Sequence, residues 1–220
     1  MVSRNLSEES LLNVIVFGAT GKTGRHTVRT ALERGHRVTA FGRSVDRLDI
    51  RDDALARHQG DVFDAASVNS AVAGHDAAIV CLGSAGLRDT ATLATGTRNV
   101  VDAMAERGVD RLVVLSAAGV DESWQQVPWS SRLLFRTLLR NVFADHHAQE
   151  AIVRQSALDW TIVRAAVLTD DSATGTYLAS NSAKTTKIDR ADVAASLVDQ
   201  LDDAANSRQA ISVTRGPSTP

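Results

Sequence analysis

A single cysteine, Cys81, stands in 220 residues. No disulfide framework and no multi-thiolate metal site can be built from it, and a reducing, cytoplasmic setting is the expectation. Tyrosine is equally scarce, with Tyr177 the only one. No apolar run approaches the ~18–20 residues that a membrane helix needs, so no membrane partner is expected. An excess of one charge is also missing. Lys and Arg number 24 against 26 Asp and Glu, a formal net charge of −2. That balance gives no basic footprint for nucleic acid or an anionic membrane. The first ten residues carry Arg4, Glu8 and Glu9 and no apolar stretch, so they do not read as a secretory signal.

What is present is an alternation of apolar runs with helix-like stretches. Runs at Asn13–Phe17, Arg37–Phe41, Ala77–Leu82, Leu112–Leu115, Trp160–Val163 and Ala210–Val213 read as strands, with a weak one at Arg57–Val62. Between them, Thr23–Arg34, Ala65–Val72, Thr90–Arg107, Leu133–Ser156 and Ala191–Leu201 read as helices, several closed by glycine. Strands that are apolar throughout imply a sheet covered on both faces, and alternation with helices implies right-handed crossovers and parallel pairing. The expected class is therefore α/β, a Rossmann fold with a doubly wound, mostly parallel sheet. Its expected extent is 13–214, as one domain with a small C-terminal substrate region. Residues 1–12 read as a flexible leader and 215–220 as a loose tail. Ala118–Ser131 and Leu168–Lys187 resist assignment. Both follow strands, on the edge where open α/β sheets bind ligands, so they are expected to form a substrate mouth.

The strongest local signal is Gly18-Ala19-Thr20-Gly21-Lys22-Thr23-Gly24, directly after a strand and opening a helix. Gly18 permits a tight turn, Gly21 lets backbone approach a pyrophosphate, and Gly24 allows close helix–strand packing. The first helical N–H groups then face the phosphates, with Thr20, Lys22 and Thr23 beside them. The spacing is G-x-x-G-x-x-G. It is not a P-loop, because Lys22-Thr23 sits inside the glycine pattern. Arg43 stands 19 residues beyond Gly24, where an NAD site carries an acid for the ribose 2′-OH. An arginine there suits a 2′-phosphate, with Ser44 beside it and Arg47 as a second cation. The expected cofactor is NADP(H). Asp61-Val62, after Gly60, is a candidate for the adenine edge or a plain loop.

GATGKTG, VTAFGRS, GDV, AAIVCLGS, GTRNVVDAM, RLVVLSA, SALDWTIVR and IDRADVA together resemble the atypical short-chain dehydrogenase/reductases. The chain looks most like the NADPH-dependent flavin reductase/biliverdin-IXβ reductase group and its NmrA-like relatives, and Ala173–Tyr177 is a further match. The resemblance spans roughly 13–214. It implies a cofactor cleft lined by Gly18, Thr20, Gly21, Thr23, Arg43, Arg47, Asp61, Val62, Leu82 and Gly83, with Ser84 following. It also implies hydride transfer to a flavin-like or other conjugated small molecule, planar in shape.

Departures from the wider pattern matter as much. The Tyr-x-x-x-Lys pair is missing, since Asn181 stands four residues after Tyr177. His146 falls on a family histidine. Ser116 lies one place before the family serine, which Ala117 replaces, and Arg164–Val167 lacks the second histidine. Ser116 and His146 are the candidate catalytic groups, although Ser116 also reads as a strand-end cap and His146-His147 as a surface pair. A metal site on adjacent helical histidines is not expected. Trp124, Trp129 and Phe135 can stack on a planar substrate, pack a lid or cover a subunit contact. A non-catalytic NADP(H)-binding redox sensor is the competing expectation, and a nucleotide-sugar epimerase is disfavoured without the Tyr–Lys pair.

Overall fold

The computed structural model describes residues 11–84, 86, 91–126, 139–180 and 186–216. Strand β1 (Asn13–Phe17) leads into helix α1 (Lys22–Glu33), then β2 (Arg37–Gly42), β3 (Leu55–Gln59), α2 (Ala65–Val72) and β4 (Ala77–Val80). Helix α3 (Thr92–Arg107), β5 (Arg111–Ala117), α4 (Arg140–Gln155) and β6 (Asp159–Ala165) follow. Short strands β7 (Val167–Thr169), β8 (Tyr177–Ala179) and β9 (Lys187–Asp189) precede α5 (Arg190–Asp199) and β10 (Gln209–Arg215).

The main sheet has the order β3-β2-β1-β4-β5-β6-β10-β8. Only its last pair, β10 with β8, runs antiparallel. The first six positions are the doubly wound order expected for a dinucleotide-binding sheet. Alternate residues of each strand feed opposite faces. Val14, Val16, Ile79, Val113 and Val163 join the core under α1 and α5. Ile15, Phe17, Val80, Val114 and Ile162 join the core under α2, α3 and α4.

The apolar strands are therefore buried on both sides, as read from the sequence. The weak third strand sits earlier than expected, at Leu55–Gln59, which frees Gly60–Val62 to be loop. Its mixed burial explains the error, because an edge strand shows no apolar run. The fourth strand stops at Val80, so Cys81–Ser84 already belongs to the loop beyond it. The helix expected over 133–156 is described from Arg140, and 133–138 lie outside the described residues. Leu168–Lys187 takes in the end of β7 and all of β8, with β9 beginning at its end, and none exceeds three residues. Such pieces are too short for periodicity to reveal. The bend between them is held by Asp192, whose carboxylate accepts from the backbone N–H groups of Thr174 and Gly175 at 3.0 Å each.

The glycine loop is the tightest point. Gly18 has φ +76°, and a Cβ there would lie 2.5 Å from the Cys81 carbonyl oxygen. A Cβ on Gly24 would lie 2.1 Å from the Gly18 carbonyl oxygen. Both neighbours are backbone and cannot rotate away. Gly24→Ala should therefore cost about 3 kcal/mol or more, at the upper end of overpacking. Gly74→Ala, at φ +81° but with nothing near its Cβ position, should cost about 1–2 kcal/mol for the left-handed conformation alone. Urea denaturation of the two variants checks the order.

Candidate functional site

A cleft of about 430 Å³ opens at the C-terminal edge of β1, β4, β5 and β6. Parallel register aligns this edge: Phe17 pairs with Phe41 and Val80, and Val80 with Val114. Every strand of the set thus delivers its following loop to one rim. Gly21, Lys22 and Thr23 form one wall, and Leu82, Gly83 and Ser84 another. Ser116 and Ala117 supply the β5 end, His146 projects from α4, and Ala165, Ala166 and Leu168 close the far side.

Of the residues expected at the site, eight meet on this cleft: Gly21, Lys22, Thr23, Leu82, Gly83, Ser84, Ser116 and His146. Gly18 and Gly24 lie beneath the loop as its packing contact. Thr20 faces the start of the next loop, its hydroxyl 3.8 Å from where a Gly42 Cβ would stand. Arg43, Ser44 and Arg47 follow β2 on the same rim, one strand outward. Both arginines are exposed, and among the described residues neither has an ion-pair partner. Asp61 accepts from the Phe63 N–H, and the Val62 carbonyl accepts from Asn99. Trp124 lies on the 3-10 turn Asp121–Gln126. Trp129, Phe135 and Asn181 fall outside the described residues.

The start of α1 suits an anion. It has no side-chain cap and no acidic residue in its first turn, so among the described residues its leading N–H groups have no side-chain acceptor. A Cβ on Gly21 would meet only the Gly18 carbonyl oxygen, at 3.2 Å, and otherwise open space. A pyrophosphate fits this combination of free amides and a missing side chain. Lys22, in the same turn, crosses the mouth to Asp170 at 2.8 Å, and Arg190 binds the same carboxylate.

Ser116, His146 and the nearby Tyr177 each have a hydrogen-bond partner. Ser116 is buried and donates to Glu150 Oε1 at 2.7 Å. His146 Nδ1 sits 3.3 Å from Gln149 Oε1, a pairing that puts the ring proton on Nδ1. The Tyr177 hydroxyl donates to Asp199 at 2.7 Å. Burial, with that carboxylate, pushes its pKa up, and the side chain is not on the cleft wall. Asp145, beside His146, accepts from Leu93 and Ala94 N–H at 2.9 Å each. It caps α3 and serves no nucleophile. Cys81 is core, and burial pushes its thiol up to about 12. Among the described residues no cluster of His, Cys, Asp and Glu could hold a metal, and no helix is long and apolar enough to cross a membrane.

Sequence reasoning missed Glu150 and Arg164. Arg164 is buried in β6 and reaches Glu150 Oε2 at 2.7 Å and Glu122 Oε2 at 2.8 Å. The signal was available: a charge inside an apolar strand covered on both faces must find a partner.

A family model described as NAD(P)H-binding matches residues 18–204. The chain belongs to this NAD(P)H-binding family. An uncharacterised chloroplastic protein of Arabidopsis thaliana is 31% identical over 173 residues, 74% of this chain and 61% of the plant protein. The chain thus spans less than two thirds of that relative. An uncharacterised sugar epimerase of Bacillus subtilis is 26% identical over 217 residues, 93% of this chain and 95% of its own. Among solved structures, a short-chain dehydrogenase/reductase from Veillonella parvula in complex with NADP superposes with TM-score 0.78 at 19% identity, covering 94% of this chain and 95% of that one. An anaerobillin reductase from Escherichia coli O157:H7 superposes with TM-score 0.74 at 24% identity, covering 94% and 99%. These neighbours share the fold.

Burial lowers the His146 pKa below the ordinary 6.5, against the Gln149 hydrogen bond and the Glu150 and Asp145 charges. The folded protein then binds fewer protons at this site than the unfolded chain once the pH drops to 6.5 and below. Stability should therefore fall as pH falls through that window. Thermal melts from about pH 7.5 to 5.5 should show this loss, and His146→Gln should flatten it. His26 and His75, also lowered chiefly by burial, supply the slope that remains.

Proposed function

We propose that this protein is an NADPH-dependent reductase that passes a hydride to a flavin-like or other conjugated, planar small molecule in the cytoplasm. The observation that carries the reading is one rim holding three features in a row. These are the exposed Arg43 and Arg47, without an ion-pair partner among the described residues, the uncapped α1 amides at Lys22 and Thr23, and the cleft at the ends of β4, β5 and β6. That sequence of charges matches a 2′-phosphate, a pyrophosphate and a nicotinamide in their chemical order.

The bound cofactor supplies the hydride. The α1 amides hold its phosphates, and Arg43 with Arg47 neutralises the 2′-phosphate. Leu82–Ser84 and Ser116 flank the inner end of the cleft. The far wall of Ala165, Ala166 and Leu168 is small and apolar, which suits the face of a flat ring. His146 stands over this end as a neutral imidazole. The fold shared with an anaerobillin reductase is consistent with a conjugated acceptor. The epimerase name of the Bacillus relative draws less support here, since the single tyrosine is spent on Asp199 away from the cleft.

The test is loss of reduced-nicotinamide absorbance with FMN, riboflavin and a quinone panel, beside calorimetric titration of NADPH and NADH. NADPH binding with acceptor-dependent oxidation is the expected result. Binding without turnover would favour an NADP(H)-binding sensor, a reading that the committed protons of Ser116 and Tyr177 also support. Arg43→Ala should weaken NADPH roughly tenfold to a hundredfold, the size of one or two charge-assisted hydrogen bonds, and leave NADH nearly unchanged. Equal loss for both cofactors would sink the 2′-phosphate assignment.

A further inference from the structure

We propose that the buried Glu150–Arg164 pair fixes Ser116 as a hydrogen-bond acceptor on the cleft wall, so that Ser116 receives an N–H from the nicotinamide carboxamide and does not donate a proton to the substrate. The assignment rests on the cofactor reading above.

The topology brings the three residues together. Ser116 on β5 and Arg164 on β6 are register partners in adjacent parallel strands, so their side chains leave the same face of the sheet. That face is covered by α4, which contributes Glu150. All three are buried, Glu150 completely.

Hydrogen-bond accounting then fixes the proton. A guanidinium has donors and no acceptor. Arg164 Nε donates to Glu150 Oε1 at 3.0 Å and Nη2 to Oε2 at 2.7 Å. Both carboxylate oxygens are therefore occupied by donors, and Glu150 accepts only. At 2.7 Å from Oε1, the Ser116 hydroxyl must supply the proton of that bond. A serine hydroxyl has one proton and two lone pairs. With its proton turned inward, Ser116 offers the cleft lone pairs alone. Among the described residues no N–H or O–H donates to Ser116 Oγ, so that capacity is unfilled.

The alternative role is disfavoured by charge. Were Ser116 to give its proton to a substrate, its oxyanion would lie 2.7 Å from a buried carboxylate. Like charges at that distance between buried groups oppose ionisation strongly. Arg164 is one cation already facing two carboxylates, Glu150 and Glu122, so a further anion is not balanced. Glu150 and Arg164 are thus positioning residues that act through Ser116. A bound nicotinamide is the natural partner, because its amide carries N–H groups that lone pairs can take.

Calorimetry with three probes tests this: NADP⁺, its 3-acetylpyridine analogue, in which a methyl replaces the amide nitrogen, and adenosine 2′,5′-bisphosphate, which lacks the nicotinamide. The wild type should bind NADP⁺ roughly threefold to tenfold more tightly than the analogue, the size of one neutral hydrogen bond. Ser116→Ala should bring that ratio near one with bisphosphate affinity unchanged, and Ser116→Thr, which keeps the hydroxyl, should restore it. Glu150→Gln should also lower the ratio with Ser116 intact, because an amide can donate to the hydroxyl and reverse its direction. Should E150Q not fold, the two Ser116 variants decide alone. A ratio near one in the wild type, or one unmoved by Ser116→Ala, overturns the acceptor role while leaving cofactor binding in place. A full ratio in folded E150Q overturns the positioning by Glu150. Failure of NADP⁺ and the bisphosphate alike to bind overturns the cofactor reading and this assignment with it.

Discussion

The cleft depends on a backbone contact that only glycine allows. The loop after β1 passes so close to the end of β4 that a Cβ on Gly18 would strike the Cys81 carbonyl. The first turn of α1 comes back so close that a Cβ on Gly24 would strike Gly18 itself. These two approaches set where α1 begins and which way its first amides point. Without them the helix would start farther from the sheet, and its N-terminal partial charge would face solvent instead of the rim. Lys22, in the same loop, sits outside this contact and bonds to Asp170 instead.

A second constraint comes from burying charge in a sheet with two covered faces. Arg164 occupies the centre of that problem. Its guanidinium would be costly in the core alone, and removing either partner of a buried pair is far more damaging than never having had it. The fold answers by surrounding Arg164 with acceptors from two elements: Glu150 from α4 and Glu122 from the 3-10 turn after β5. Arg154 on α4 binds Glu122 as well, and His147 binds Asp121, which holds a positive φ of 45°. The turn beside the cleft is therefore tied to α4 and β6 by ion pairs. The exposed ones contribute little each, and the Arg164 contact, buried on the arginine side alone, ends on the largely exposed Glu122.

These two constraints were unequally legible in the sequence. Gly18, Gly21 and Gly24 could be read because a missing side chain is a local fact, visible with the strand before and the helix after. The strands could be read because burial on both faces leaves an uninterrupted apolar run. Arg164 was equally visible as a charge in such a run, but its partner was not. Glu150 stands on a different element, and its contact exists only once α4 has packed across β5 and β6. The same limit hid β7 and β9, which are three residues long and, among the described residues, pair with each other alone. Asp145 shows the limit from the other side. Its neighbour His146 suggested chemistry, whereas its carboxylate is used 52 residues away in sequence, at the start of α3.

The distribution of protons bears on which reaction the cleft can serve. A hydride arriving at an isolated carbonyl builds charge on one oxygen, and catalysis then gains from an acid held at that atom. Here the Ser116 proton goes to Glu150, the His146 Nδ1 proton to Gln149, and the Tyr177 proton to Asp199. Burial lowers the His146 pKa and so favours the neutral ring. A site arranged in this way is poorly equipped to protonate a developing alkoxide. An extended conjugated acceptor makes a weaker demand, because the incoming charge spreads over many atoms and water can deliver the proton afterwards. What Ser116 and His146 do with their protons therefore supports the proposed flavin-like or similarly conjugated substrate on grounds separate from any likeness to a known reductase.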